Sequence, residues 1–174
     1  MPKYSIIERE RRFLVDPALM PALDPAAARL IEDRYLPGTD LRLRKVTAPD
    51  TPPVFKLGKK YPGTSLSSRP MTNIYLDAAE HAMLAALPAA PLTKRRYDVG
   101  GGFAIDLFDG ALTGLVLAEV SADDDAALAA VAVPAWCVAE VTDDPAYAGG
   151  TLAIEGWHDR TRTGVIRAGE GDEA

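Results

Sequence analysis

With 174 residues the chain suits one domain, and with 48% of them hydrophobic it can build a sizeable core, which excludes global disorder. Its net charge of -6 argues against nucleic acid as the main partner, because domains with that partner are basic overall. One cysteine, Cys137, excludes an intramolecular disulfide and a cysteine-rich zinc site.

The first predicted strand, 5–15, contains five consecutive charges, Glu8, Arg9, Glu10, Arg11 and Arg12, between apolar Ile6-Ile7 and Phe13-Leu14-Val15. Asp16-Pro17 then starts a predicted helix over 16–23, with a cap followed by proline at the first helical position. Strands are expected over 30–36, 40–47, 54–61 and 70–76, bounded by the Pro-Gly turns of LPGTDL and YPGTSL. A helix over 77–88 opens at Asp77 and turns Ala79, Met83, Leu84 and Leu87 towards one face. Further strands are expected over 93–98, 102–108, 113–120 and 135–141, with a glycine turn in VGGGF and a hairpin through Asp109-Gly110. Ser121 with Asp124 resembles a capping box for a helix over 121–131, and 143–156 reads as a broken helix. Cys137, beside Trp136, reads as a small buried hydrophobe, and Tyr35 and Tyr75 as packing residues. Residues 1–166 read as one domain and 167–174 as a frayed acidic tail. The N-terminus lacks an apolar signal region, and no apolar run reaches the roughly 18 residues of a membrane span. The expectation is a soluble cytoplasmic protein with no membrane or nucleic-acid partner.

Side chains on a strand alternate between faces. In the first strand Glu8, Glu10 and Arg12 share one face, and Arg9, Arg11 and Phe13 share the other. Arg42 with Arg44, Lys56 with Lys60, and Lys94 with Arg96 repeat the pattern, and Glu119 shares a face with Leu117. A solvated outer face explains any one of these strands. A closed antiparallel barrel with a polar tunnel explains them together. Glu8, Glu10 and Glu119 with Arg12, Arg42, Arg44, Lys56, Lys94 and Arg96 would then face inward, with an excess of three positive charges. Such a lining calls for an anion, and a compact polyphosphate fits. Carboxylates beside phosphates call in turn for divalent cations, Mg²⁺ or Mn²⁺.

The segment IERERRFLV resembles the N-terminal ExExK signature of the CYTH family, the triphosphate tunnel metalloenzymes, with Glu8, Glu10 and Arg12 in register. The blocks LIEDRYLPGTDLRLRKV, VFKLGKKY, TNIYLDAAEHAML, LTKRRYDV, FAIDLFDGALTGLVLAEV and WCVAEVTDDPAYAGGTLA are similar, in order, to later blocks of bacterial members. The resemblance implies an α+β, mainly β protein: a closed eight-stranded antiparallel barrel with helices packed outside. It implies metal on Glu8, Glu10 and Glu119, and phosphates on Arg12, Arg42, Arg44, Lys56, Lys94 and Arg96. Arg12 stands where lysine is usual, and Ser121 where members often carry a second glutamate. Asp106 is a candidate replacement carboxylate for the metal.

The expected activity is Mg²⁺- or Mn²⁺-dependent hydrolysis of inorganic tripolyphosphate, with Lys94 a candidate base and water attacking the terminal phosphorus. Thiamine triphosphatase, adenylate cyclase and non-catalytic polyphosphate or nucleotide binding stay open, as does a homodimer. His81 and His158 have no third ligand at close spacing and do not form a metal site.

Overall fold

A computed structural model of the chain describes residues 2–63, 65 and 67–157. His158, the acidic tail at 167–174 and the end of the expected 1–166 domain lie outside the described residues.

The period-two patterning yields nine strands: β1 (Ile6–Val15), β2 (Arg29–Tyr35), β3 (Leu41–Thr47), β4 (Val54–Lys60), β5 (Ser68–Leu76), β6 (Ala90–Gly100), β7 (Phe103–Phe108), β8 (Val116–Ser121) and β9 (Cys137–Glu140). All pairings are antiparallel, in the order β5-β4-β3-β2-β6-β7-β8-β1, and β5 pairs back onto β1 to close an eight-stranded barrel. The expected fold class is the one that forms.

One edge of β1 serves two partners. Ile6–Arg9 lie on β5, and Phe13–Val15 lie on β9. Between them the Glu10 amide donates to the Ser67 carbonyl (3.0 Å) and the Arg12 amide to Thr142 Oγ1 (2.9 Å), so the edge has no unmet donor at the switch. The other edge pairs Glu10–Leu14 with β8. At the β6–β7 connection Gly100, Gly101 and Gly102 all take positive φ (82°, 60° and 80°), which side-chain-bearing residues rarely adopt.

Among the described residues three helices accompany the strands: α1 (Ala78–Ala85), α2 (Asp125–Ala129) and α3 (Gly149–Glu155). The Asp77 side chain accepts from the Glu80 amide, and the Glu80 side chain accepts from the Asp77 amide, a complete capping box. On the outer wall His81 stacks on Phe55 at 4.7 Å, but Met83, expected on the packed face, is exposed. Among the described residues no helix is long and apolar enough to cross a membrane.

Four local expectations need correction. Residues 16–23 form only a turn, because Pro21 has no amide with which to continue it. Ser121 is not a helix cap: it ends β8 opposite Glu10, and Asp124 caps α2 by accepting from the Ala127 amide at 2.7 Å. Asp109-Gly110 is not a tight hairpin, since a 3-10 turn at Gly110–Leu112 lengthens the connection. Cys137 is half-buried, and burial pushes its thiol up to about 11.

Two apolar clusters flank the barrel wall. Phe13, Val15, Phe103, Ala118 and Val120 point outward and are covered by Met20, Val131 and Trp136. Leu92, Phe108, Leu117, Tyr147 and Leu152 form the second, with Leu14 and Tyr35 against it. Its strand members face inward, so it fills part of the barrel at one end.

Candidate functional site

Strand register decides which charges meet. Arg12 lies opposite Glu119, Arg96 opposite Asp106, Arg44 opposite Asp33 and Glu8 opposite Arg69. The inward rows enclose a cavity of about 450 Å³. Glu8, Glu10, Arg12, Arg42, Arg44, Lys94, Arg96 and Glu119 line it. The outward arginines of β1 pair elsewhere, Arg9 with Asp125 (2.8 Å) and Arg11 with Glu140 (2.7 Å). The charges on the two faces of β1 therefore serve different environments.

Lys56 does not line the cavity. It shares the inward row of Arg44, but its ammonium sits 5.0 Å from the ring of Tyr75, which is 69% exposed. Lys60, four residues further along the same face, lines the cavity instead and bridges Glu8 and Glu10. Arg29, Asp33, Asp40, Arg69, Asp98 and Asp144 also line it and were not singled out from sequence. Eight cationic and seven acidic residues line the cavity among the described residues, so the expected excess of three positive charges falls to one.

The charges are organised unevenly. On the wall made by β1, β6, β7 and β8 they form one connected chain. Lys60 links Glu8 to Glu10, and Arg12 links Glu10 (2.9 Å) to Glu119 (3.1 Å). Arg96 links Glu119 to Asp106 (2.6 Å), and Lys94 also bonds Asp106 (2.5 Å). Asp106 is fully buried, so these two cations are its counter-charges. On the opposite wall Asp33 receives both Nε and Nη2 of Arg44 at 2.6 Å, a bidentate pair. Arg42 reaches Asp33 only at 3.7 Å, and its buried Nε has no hydrogen-bond partner among the described residues. This second wall keeps donor capacity in reserve.

Burial and charge compete at each titratable group. Burial pushes Asp33 up, but the hydrogen bond from Arg44 and the charges of Arg44, Arg42 and Lys94 outweigh it, so its carboxyl lies below the usual range. Glu119 likewise resists burial because Lys94, Arg96 and Arg12 hold it well below the usual range. Burial pushes Lys94 below ordinary lysine, and Asp106 and Glu119 offset only part of that. Asp33 thus stabilises the fold above the ordinary aspartate pKa, and the contribution disappears as pH falls through its lower folded value. Asp33→Asn is expected to cost about 3 kcal/mol at neutral pH. The gap from wild type should narrow below about pH 4. Denaturant melts at several pH values check this; a gap that widens in acid would contradict the sign.

The donor set was tested for a divalent cation. Among the described residues no three acidic, histidine or cysteine side chains gather at one point. Glu8 and Glu10 do converge on one cation, the Lys60 ammonium, which stands where a hard metal ion would find oxygen ligands. That pair fits a metal. Glu119 is taken up by Arg12 and Arg96, and Asp106 is held by Lys94 and Arg96.

Comparison with solved structures finds the same barrel. Two structures of NE1496, one described as an inorganic triphosphatase, are 29% identical and superpose with a TM-score of 0.54, covering 84% of this chain and 94% and 97% of theirs. That likeness supports the resemblance to the CYTH family read from the sequence. A Bacillus halodurans structure described as a candidate adenylate cyclase shares the fold at 14% identity and a TM-score of 0.52, covering 74% of this chain and 87% of its own. No family model and no curated protein matches the chain. Within this barrel, parity is the signal that could have found Lys60 and Asp33. Lys60 shares the face of Lys56, and Asp33 lies between Ile31 and Tyr35 on an inward row.

Proposed function

We propose that this chain is a metal-dependent tripolyphosphatase that holds its substrate along the tunnel while water attacks the terminal phosphorus. The observation that carries the reading is the convergence of Arg12, Arg42, Arg44, Lys60, Lys94 and Arg96 on one cavity. A dense polyanion would draw Lys60 and Arg12 away from the carboxylates they now bridge. The likeness to NE1496, described as an inorganic triphosphatase, favours tripolyphosphate over an organic triphosphate.

Glu8 and Glu10 are the residues to hold Mg²⁺ or Mn²⁺, with Glu119 beside them. Bound there, the metal neutralises phosphate oxygens and lowers the pKa of a coordinated water. The chain supplies the rest. Arg42 and Arg44 orient the phosphates that do not react, and Arg96 and Arg12 stabilise charge spread over the transferring group. Lys94 accepts the proton of the attacking water if it enters as the neutral amine, the direction in which burial pushes it.

Phosphate release from tripolyphosphate is expected with Mg²⁺ or Mn²⁺ and is lost with EDTA or in Glu8→Ala. Arg42→Ala should weaken tripolyphosphate binding about tenfold or more, the loss of one charge-assisted hydrogen bond. Running pyrophosphate, ATP and thiamine triphosphate alongside separates tripolyphosphatase from the other activities. A second reading, a binding module without turnover, is favoured by the engagement of Glu10 and Glu119 with Arg12. Tight tripolyphosphate binding with no phosphate released under any metal would select it.

A further inference from the structure

One carboxylate stands among the cations that would orient the phosphates. Asp33 is buried on the inward row of β2 and lines the cavity. Its neighbour on β3 is Arg44, which donates to it from Nε and Nη2 at 2.6 Å, and its neighbour on β6 is the apolar Leu92. Arg42 stands 3.7 Å from the same carboxylate. Asp33 is ionised at neutral pH, because the effect of burial is outweighed by Arg44, Arg42 and Lys94. The two nitrogens of Arg44 that grip Asp33 form a planar fork that fits a pair of phosphate oxygens equally well. A phosphate and Asp33 therefore compete for one guanidinium. Glu8, Glu10 and Glu119 lie on the facing wall, where a metal would offset their charge. Asp33 lies beside Arg42 and Arg44 and repels an anion held there.

We propose that Asp33 is a specificity-determining residue that competes with phosphate for Arg44 and so weakens the hold on pyrophosphate. The proposal rests on the tripolyphosphatase reading. Hydrolysis of tripolyphosphate consumes one water and yields pyrophosphate and orthophosphate, and Arg42 and Arg44 hold the part that leaves as pyrophosphate. Tripolyphosphate also engages Arg12 and Arg96 and outcompetes Asp33; once the terminal phosphoryl group has gone, Asp33 reclaims Arg44. Substrate is told from product by the cations it reaches beyond Arg42 and Arg44. Neutralising Asp33 leaves the largely buried Arg42 and Arg44 short of a counter-charge. An anion bound beside them restores it, so what the fold loses in Asp33→Asn returns as affinity for pyrophosphate.

The test is calorimetric titration of pyrophosphate, without metal, into the full chain and into Asp33→Asn, with tripolyphosphate as the control. Asp33→Asn should bind pyrophosphate at least about tenfold more tightly than the wild type. Damage to the fold alone weakens binding, so the sign separates competition from a structural role. Unchanged or weaker binding of pyrophosphate by Asp33→Asn overturns the proposal, and it leaves the tripolyphosphatase reading intact where the wild type still hydrolyses tripolyphosphate. If the wild type does not bind tripolyphosphate, that reading falls and this proposal falls with it. Should Asp33→Asn be unfolded on its own, adding pyrophosphate decides. Refolding is the expected result, and a variant that stays unfolded in excess pyrophosphate overturns the proposal.

Discussion

Asp106→Asn is expected to destabilise the protein by about 3 to 5 kcal/mol, although it preserves shape and adds no bulk. Asp106 is fully buried and accepts hydrogen bonds from Lys94 and Arg96, so neutralising it leaves two largely buried cations short of a counter-charge. Asp98→Asn provides the contrast. Asp98 pairs with Arg29, but its side chain is 69% exposed, and its loss should cost less than about 1 kcal/mol. Equilibrium denaturation of the two variants side by side measures the difference. Equal midpoints would mean that Glu119 alone compensates Lys94 and Arg96.

Glu119→Gln is expected to lower phosphate release from tripolyphosphate by about 10² to 10³. Glu119 sits where Arg12, Arg96 and Lys94 meet, and these three cations take part of their orientation from this carboxylate. An amide keeps the volume but offers Arg12 and Arg96 a weaker acceptor, and it removes a metal-competent oxygen pair. The loss should lie in kcat more than in KM, because Arg42 and Arg44 on the facing wall still hold the phosphates. A variant with full kcat would remove Glu119 from the reaction and leave it a structural partner of Arg12.

Parity made most of this site legible. Because strand side chains alternate strictly, Glu8, Glu10, Arg12, Arg42, Arg44, Lys94, Arg96 and Glu119 could be assigned to one interior from the sequence, and all line the cavity. Parity reports a face and says nothing of height along the barrel axis. Lys56 and Lys60 share a face, yet only Lys60 reaches the cavity, since Lys56 lies towards the end of β4 where Tyr75 is exposed. Asp33 was overlooked because a lone aspartate in LIEDRY carries no motif; its partner Arg44 becomes visible only through the β2–β3 register. Ser121 was misread because it lies three residues before Asp124 in a run rich in capping side chains, and β8 simply continued up to it.

The shared edge of β1 has a kinetic consequence. β1 pairs with β5, β8 and β9, so its enclosure waits until roughly residue 140 has been made. Until then Glu8, Glu10 and Arg12 stay hydrated, and the β2–β3–β4–β5 meander, built from neighbouring hairpins, can assemble without them. Barrel closure is thus a late event dominated by distant contacts, the circumstance in which small domains fold slowly.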